Sequence, residues 1–449
     1  MTSKSKNSYI ETLIPIIILF VSTTGWYSLD YVGMKAFWIG FFVLSFTYAF
    51  LILKDFRRNI DIKKLVTNKY NILLILYSVW VSISYLYNYQ GRGSLLYTFK
   101  VWFMIIFYII LTEIYIDNIT KENKKILIHN ISKFIFILGI FHSVVGLYQF
   151  ITLSNKIFGV VISDWAPYNP AAMYGNVNGF GTYLFISIIC GFNLFIEGLN
   201  KKSNKYTAFL LIFQMYMMYL TVARTSIVAL IAYFVFIFIL LLVKKKELLV
   251  KIFSKNNVIL FIACNLIMFS IIKLPEYRGY INKLLNKDYV SEERTAENML
   301  KEKNSKGFNN RNIIWKAVGD NYKEYIYFGD GLKYNVLDRI DVVNVISERS
   351  EGVDRISYHN TLVRYFASNG VLGLVLFLAM YFAIPLKLFI NMIKCREIDI
   401  ESSIIIILLA VIFMYMQMEE VYIGEIGFMS IITNFVLGYG GTLLTKRQR

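Results

Sequence analysis

Long apolar runs are the feature that most constrains what this chain can fold into. The longest, residues 206–243, contains a single charged residue, Arg224. A helix needs about 17–25 apolar residues to cross a bilayer, and several runs meet that length: residues 10–26, 34–53, 206–243 and 402–418. Because 57% of the residues are hydrophobic and only 17% are charged, the chain has too little polar surface to cover itself in water. The sequence therefore predicts an all-α, polytopic membrane protein.

The remaining apolar runs bring the predicted number of transmembrane helices to about twelve. These helices are expected at residues 10–27, 34–53, 70–89, 95–115, 130–152, 176–197, 206–222, 225–243, 256–273, 359–384, 402–419 and 423–444. Tyrosine and tryptophan residues stand near the ends of several runs, as is typical of the membrane interface. The chain then divides into helices 1–9 in residues 1–273, one large loop in residues 274–358, and helices 10–12 in residues 359–449.

The distribution of basic residues predicts the orientation in the membrane. Lysine and arginine residues cluster in every second connection between the predicted helices, and such connections stay on the cytoplasmic side. Both termini are therefore expected in the cytoplasm, and the loop 274–358 is expected outside the cytoplasmic membrane. The net charge of +17 has the same origin, so it gives no reason to expect nucleic-acid binding.

The apolar run 206–243 is too long for one transmembrane helix. As a single helix it would measure about 57 Å, nearly twice the hydrocarbon thickness of about 30 Å. Both flanks of the run are basic, so both are expected on the cytoplasmic side. The run is therefore expected to fold back as a hairpin, with Arg224 at its outer turn.

The large loop is expected to form a solvated domain, because its basic and acidic residues are nearly equal in number. Helical stretches are expected at residues 291–302 and 310–325. The second stretch is amphipathic and places Arg311 and Trp315 one turn apart on one face.

Three residues are candidates for chemistry by their type and position. His359 is expected in the first turn of the tenth helix, and an imidazole can act as a base near neutral pH; the alternative is an ordinary hydrogen-bonded histidine. Arg224 is placed to receive an anion from outside, or else to extend its cation to the membrane interface. Arg311 is either an anion ligand or an ordinary solvated arginine of the loop.

Four further ionisable residues lie in or beside apolar runs. Lys100 and Arg364 fall inside predicted helices, and an unpaired charge at membrane depth is costly enough to suggest a function. Glu419 and Glu420 stand at the outer end of the eleventh helix. They either balance the arginines or form an ordinary solvated turn, and the residues alone favour the solvated turn.

The cysteine content gives no sign of a metal site. Cys190, Cys264 and Cys395 fall in or beside apolar runs, where small core residues are the expectation. No His/Cys spacing or Asp/Glu pair in the chain calls for a metal, so neither a metal nor another cofactor is expected.

Four short patterns occur in a fixed order between residues 165 and 385. In chain order they are Asn176-x-Asn178 at the start of a helix, Thr221-Val-Ala-Arg224-Thr-Ser226 at a turn, Arg311-x-x-x-Trp315 followed by Gly329-Asp-Gly331 in the loop, and His359-Asn360 followed after nine residues by Gly370-x-x-Gly373. Together with the predicted topology, these patterns resemble the O-antigen ligase and polymerase superfamily of polysaccharide-assembly membrane proteins. The N-terminal third resembles that superfamily only in hydropathy.

The resemblance implies a GT-C-like glycosyltransferase in the bacterial cytoplasmic membrane. Its donor would be a polyprenyl-diphosphate-linked oligosaccharide, with the lipid tail lying between helices. It further implies that His359 accepts the proton of the attacking hydroxyl and that Arg224 and Arg311 bind the diphosphate, with inversion at the sugar C1 and no metal. Candidate substrate-cavity residues are Asn176, Asn178, Trp315, Asn360, Arg364, Lys100, Glu419 and Glu420.

The resemblance leaves the acceptor open. A polymerase joins one lipid-linked repeat unit to another, and this activity is favoured because the chain has a modest loop and no further domain. A ligase would move the glycan to a different acceptor, such as a lipid core or a secreted protein. Two alternatives from other classes are a polysaccharide flippase, in which Lys100 and Arg364 would line a path, and a scaffold for other polysaccharide-assembly proteins.

Overall fold

In the residues that it describes, the computed structural model of the chain is helical apart from one short two-stranded ribbon. It describes residues 8–22, 34–56, 68–89, 92–152, 154, 156–157, 160–161, 169–174, 176–199, 201, 204–272, 311–331 and 358–446. Within these residues the helices are α1 (Ser8–Ser22), α2 (Met34–Phe56), α3 (Lys69–Tyr87), α4 (Arg92–Ile105), α5 (Leu111–Asn118), α6 (Lys121–Thr152), α7 (Val177–Glu197), α8 (Asn204–Thr221), α9 (Arg224–Lys244), α10 (Lys246–Ile252), α11 (Lys255–Ile272), α12 (Arg311–Asp320), α13 (Tyr322–Tyr325), α14 (Thr361–Cys395), α15 (Ile400–Met416) and α16 (Phe428–Lys446). A π-helical turn, Ile106–Ile110, joins α4 to α5. The ribbon pairs β1 (Lys156–Ile157) with β2 (Val160–Val161) antiparallel, which the sequence did not indicate.

The helices have the length and composition of membrane spans. Within the described residues, seven helices are long and apolar enough to cross a bilayer. The number rises to eight if α10 and α11, which are bent by 47° relative to each other, form one span. Two shorter apolar helices, α15 and α16, fall below that length criterion. The helical class and the membrane character are thus confirmed, whereas the count of twelve spans and their orientation stay predictions.

The helices gather into two compact units, each built from two segments of the chain. The first unit comprises Met1–Leu51 and Ile119–Ser305, and the second comprises Ile52–Asn118 and Lys306–Arg449. In the first unit, α6, α8 and α9 all pack against α7, which is the most buried of the candidate spans. In the second unit, α3, α13, α15 and α16 pack against α14.

Several local predictions have a clear outcome. The run 206–243 is divided between α8 and α9, and the break lies immediately before Arg224, as predicted. The amphipathic helix predicted at residues 310–325 is present as α12 and α13, interrupted at Asn321. The stretch 291–302 lies outside the described residues, as does most of the loop 274–358.

The expectation for the cysteines is correct for two of the three. Cys190 and Cys264 are buried and unbridged, whereas Cys395 is exposed. The prediction was wrong for Cys395 because this residue ends α14, beyond the part of the helix that packs against its neighbours.

Helix α14 is broken at Gly370. This residue has φ 72° and ψ −176°, a backbone conformation essentially confined to glycine. The break leaves carbonyl groups of the preceding turn without helical partners. The loop after α13 satisfies them: the Asp330 N–H donates to the Ala367 carbonyl at 2.7 Å, and the Gly331 N–H donates to the Ser368 carbonyl at 3.1 Å. The broken helix is therefore the docking point of this loop.

Side chains of α3 hold the same break from another side. The Trp80 indole N–H donates to the Asn369 carbonyl at 2.8 Å. The Ser84 hydroxyl lies 2.9 Å from the Ser368 carbonyl oxygen and 2.5 Å from the Phe328 carbonyl oxygen. Because α3 contacts both the helix and the loop, it clamps the two together.

Replacing Gly370 by alanine should destabilise the second unit. A Cβ at this position would lie 2.0 Å from the Tyr327 carbonyl oxygen, and the backbone conformation alone costs a residue with a side chain about 1–3 kcal/mol. We expect the apparent melting temperature of the purified protein to fall by several degrees, or the protein to stop accumulating in the membrane. Gly319→Ala is the matched control, because a Cβ there meets nothing within 4 Å. Equal behaviour of the two variants would contradict the role given to the break.

Candidate active site

The start of α14 fixes the position of His359. Asn360 caps the helix, since its Oδ1 accepts hydrogen bonds from the backbone N–H groups of Leu362 at 2.8 Å and Val363 at 3.1 Å. His359 lies before the cap, with a left-handed backbone φ of 52°. The expectation that His359 occupies the first helical turn is therefore wrong, because Asn360 is the N-cap and the helix begins only at Thr361.

His359 lies between two neighbouring carboxylates. Its backbone N–H donates to Glu420 Oε1 at 3.1 Å, and its ring Nδ1 lies 3.8 Å from Glu419 Oε2. The side chain is 35% exposed, so a substrate can reach the ring. A carboxylate facing Nδ1 favours the tautomer that carries its proton there, and this tautomer leaves Nε2 as the basic nitrogen.

Glu419 also binds Arg311, the first residue of α12. Arg311 Nη2 donates to Glu419 Oε1 at 2.9 Å, and Nη1 donates to the Met418 carbonyl. One carboxylate therefore bridges the guanidinium of Arg311 and the imidazole of His359. Both side chains of the Arg311–Glu419 pair are largely buried, at 13% and 16% exposed.

The position of Arg311 follows from the packing of α12. The apolar face of this helix carries Ile314 and Val318, which are buried in a core with Tyr358. One turn after Arg311, the Trp315 indole N–H donates to the Tyr358 carbonyl at 2.9 Å. Trp315 thus ties α12 to the residue that directly precedes His359, and the predicted shared face of Arg311 and Trp315 is present.

Arg364 forms a second buried ion pair in the same region. Its Nη1 donates to Glu420 Oε2 at 2.6 Å and to Glu425 Oε2 at 3.1 Å. Its guanidinium carbon lies 4.8 Å from the centre of the Tyr422 ring, within range of a cation–π interaction. The Arg364 and Glu420 side chains are 6% and 12% exposed.

The expectation of a solvated turn at Glu419 and Glu420 is wrong. Both side chains are largely buried, and each carboxylate binds a different arginine. Burial of a carboxylate is costly unless a cation compensates it. The alternative prediction is correct, because these residues balance the charges of the arginines in the structure.

The connection between α15 and α16 carries both carboxylates, and hydrogen bonds fix it to α14. The Thr361 hydroxyl donates to the Glu419 carbonyl at 3.1 Å and accepts from the Val421 N–H at 2.9 Å. Asn360 Nδ2 donates to the Gln417 carbonyl at 2.9 Å. The same residues that begin α14 therefore also hold the carboxylates beside His359.

A chain of aromatic rings links Lys100 to this cluster. Lys100 Nζ lies 4.9 Å from the Tyr97 ring centre, and the Tyr97 ring packs on Tyr85 at 5.9 Å. The Tyr85 and Tyr422 hydroxyl oxygens are 2.7 Å apart, and burial raises the pKa of the Tyr422 hydroxyl, which therefore stays neutral. Lys100 itself is half-buried in α4.

Arg224, Asn176 and Asn178 lie in the first unit. Arg224 opens α9, after a turn in which Val222 has a φ of 54°. Asn176 caps α7, its Oδ1 accepting from the Gly179 N–H at 2.6 Å, and Asn178 lies in the first turn of that helix.

The starts of α7 and α9 lie together in the first unit. Gly181 of α7 packs so tightly on Ala223 that a Cβ would lie 2.3 Å from the Ala223 Cβ. The N-terminal end of a helix favours anions. Arg224 therefore stands where two such ends meet.

Sequence reasoning missed Glu425 as a partner of Arg364. The signal was present, because the connection 417–427 carries three carboxylates in a stretch of otherwise uncharged residues. A short connection so rich in acid indicates buried cations nearby, and these cations are Arg311 for Glu419 and Arg364 for Glu420 and Glu425.

Residues 207–378 match the family model described as O-antigen ligase. Over this segment the chain is similar to the O-antigen ligase and polymerase superfamily. The match supports the resemblance drawn from the sequence patterns, and with it a role in polysaccharide assembly. The matched segment includes Arg224, Arg311 and His359 and ends before Glu419. No curated protein matches the chain.

Replacing Asn360 by alanine should destabilise the protein through the lost helix cap. Loss of such a cap costs about 0.5–2 kcal/mol, which we expect to appear as a lower melting temperature of the purified protein. Asn360→Ser is the matched control: serine loses the same bond to Gln417 but keeps an oxygen that can cap the helix. If the serine and alanine variants melted together, below the wild type, the cap would not be the source of the loss.

Proposed function

We propose that this chain is a polysaccharide polymerase. It transfers a polyprenyl-diphosphate-linked glycan onto the hydroxyl of another lipid-linked repeat unit, at the outer face of the cytoplasmic membrane. The observation that carries the proposal is the bridge of Glu419 between Arg311 and His359. It brings a cation and a base, the two kinds of group that the reaction needs, to one carboxylate.

The reaction breaks one bond and forms another at the sugar C1. The acceptor hydroxyl attacks C1, and the bond from C1 to the diphosphate oxygen breaks. The hydroxyl proton passes to Nε2 of His359, while Glu419 beside Nδ1 stabilises the imidazolium that forms. The electron pair of the broken bond leaves with the polyprenyl diphosphate. Attack from the face opposite the diphosphate inverts the configuration at C1.

Arg311 and Arg224 hold the diphosphate in this mechanism. A guanidinium has five N–H groups, and the contacts of Arg311 with Met418 and Glu419 use two of them. The remaining groups can donate to an anion, and the charge stabilises the diphosphate as it leaves. Arg224 adds a second cation at the start of α9, where the positive end of the helix dipole also attracts an anion. The arginines supply the positive charge, so the mechanism uses no cofactor.

Ligase activity is the second candidate, and the matched family model is described as O-antigen ligase. The same base and cations serve a ligase, because the bond to the diphosphate is the same. Only the acceptor differs, since a ligase moves the glycan to a molecule other than a lipid-linked repeat unit. The choice of acceptor therefore separates the two candidates experimentally.

Transfer should require His359. We would reconstitute the purified protein in liposomes with one synthetic polyprenyl-diphosphate-linked repeat unit and no other acceptor. The wild type should form a ladder of products on a gel, and His359→Ala should form none. The matched control is His129→Ala, which removes a half-exposed histidine paired with Glu197 and should leave the ladder intact.

Either of two outcomes would change the assignment. Transfer only after a different acceptor is added would make the protein a ligase. A ladder of normal length and rate from His359→Ala would show that another group accepts the proton.

Transfer should also depend on both arginines. Removal of one fixed donor to developing negative charge costs about 10²–10³-fold in kcat, so we expect losses of this size for Arg311→Ala and Arg224→Ala. Arg311→Lys should recover little, because lysine lacks the planar fork that reaches Met418 and Glu419 together. Lys316→Ala, on the same helix as Arg311, is the control for loss of charge alone. Normal rates in Arg311→Ala or Arg224→Ala would remove that residue from the mechanism.

A further inference from the structure

His359 has a backbone that needs an external restraint. Its φ of 52° lies in the left-handed region, where a side chain with a Cβ is disfavoured. Among the contacts of the described residues, Glu420 supplies this restraint: its Oε1 accepts a hydrogen bond from the His359 peptide N–H at 3.1 Å.

Glu420 is itself held at both carboxylate oxygens. While Oε1 accepts from His359, Oε2 accepts from Arg364 at 2.6 Å. The Glu420 side chain is 12% exposed, so the charge-assisted bonds act in a largely dry setting, where they are strong. The carboxylate is thus a rigid link between a helix side chain and the peptide of His359.

Arg364 is in turn fixed by its surroundings. Its N–H donates to the Asn360 carbonyl at 3.0 Å within α14, and its guanidinium lies over the ring of Tyr422. The Tyr422 hydroxyl donates to Asn369 Oδ1 at 3.1 Å, one residue before the helix break. Contacts with α14, made through Arg364, therefore fix the position of Glu420.

We propose that Glu420 is a positioning residue that holds the His359 backbone in its left-handed conformation and so directs the imidazole toward Glu419. The proposal rests on the proposed function, in which His359 is the base. The two adjacent carboxylates then have different tasks. Glu419 faces the ring and Arg311, whereas Glu420 faces the peptide and Arg364. In this arrangement Arg364 anchors Glu420.

The test compares Glu420→Ala and Glu420→Gln with the control Glu425→Ala. Glu425 also binds Arg364, but its side chain is 43% exposed and its bond is to Arg364 alone among the described contacts. Glutamine keeps the size of Glu420 and one acceptor oxygen, which can serve His359 or Arg364 but not both. This nearly isosteric variant keeps the test open if the alanine variant fails to fold.

Two measurements would be made on each full-length variant. The first is the initial rate of transfer in liposomes at varied donor concentration. The second is the backbone amide spectrum of protein labelled with ¹⁵N-histidine, which has only three signals because the chain has three histidines. A His359→Gln sample assigns the His359 signal by its disappearance.

We expect a loss in kcat with little change in KM. A misplaced base costs about 10- to 100-fold, so kcat of Glu420→Ala should fall by that factor while KM for the donor stays within about twofold. Glu420→Gln should lie between Glu420→Ala and the wild type. The His359 amide signal should move in both Glu420 variants, because the N–H loses a charged acceptor, and the signals of His129 and His142 should not. Glu425→Ala should leave the rate and the His359 signal near those of the wild type.

The proposal is overturned if Glu420→Ala and Glu420→Gln match Glu425→Ala in rate and leave the His359 amide in place. A loss of rate equal to that of Glu425→Ala, with all three histidine signals displaced, would also overturn it, since that pattern indicates general destabilisation. If the wild type transfers glycan to neither acceptor, the proposed function fails separately. The amide signal by itself then tests the contact. Movement of the His359 signal, without movement of the other two histidine signals, supports the restraint, and no movement of the His359 signal overturns it.

Discussion

The adjacent carboxylates of Glu419 and Glu420 are the contact on which the arrangement around His359 depends. A buried guanidinium is tolerated only with a compensating anion, and here each of two arginines has one of these carboxylates. Arg311 comes from α12 and Arg364 from α14, so the pair joins two elements that are distant in sequence. Removal of either carboxylate would leave a cation without its main partner and would release His359 on one side. The site therefore combines residues inside the family-matched segment 207–378 with a connection that lies beyond it.

The sequence predicted those parts of the site that depend on local patterns. The break before Arg224 follows from helix length, and the shared face of Arg311 and Trp315 follows from helical periodicity. The pairing of Glu419 and Glu420 was not predictable in this way. Their sequence neighbours suit a solvated turn, and only the packing of α12 and of the connection on α14 brings the arginines to them. The left-handed backbone of His359 was not predicted either. The sequence suggested that the helix includes His359, whereas Asn360 caps the helix and leaves His359 outside it.

The glycines of the sequence patterns have a role that chemistry alone does not suggest. Gly370 breaks α14, and the loop containing Gly329 and Gly331 docks on the break by backbone hydrogen bonds. That loop follows α12, which carries Arg311. The spacing from His359 to Gly370 therefore fixes where the loop meets the helix. The pattern from His359 to Gly370 thus combines the proposed base with a glycine that helps to bring Arg311 near it.

In the proposed reaction, this site breaks the bond between a sugar and a lipid diphosphate. The most direct measurement is the amount of polyprenyl diphosphate released for each glycosidic bond formed, in liposomes that contain the wild-type protein, the lipid-linked repeat unit and each acceptor in turn. We expect one molecule to be released for each bond formed, and neither release nor bond formation with His359→Ala. Movement of the lipid-linked glycan across the bilayer without release of polyprenyl diphosphate would contradict the account and indicate a transporter.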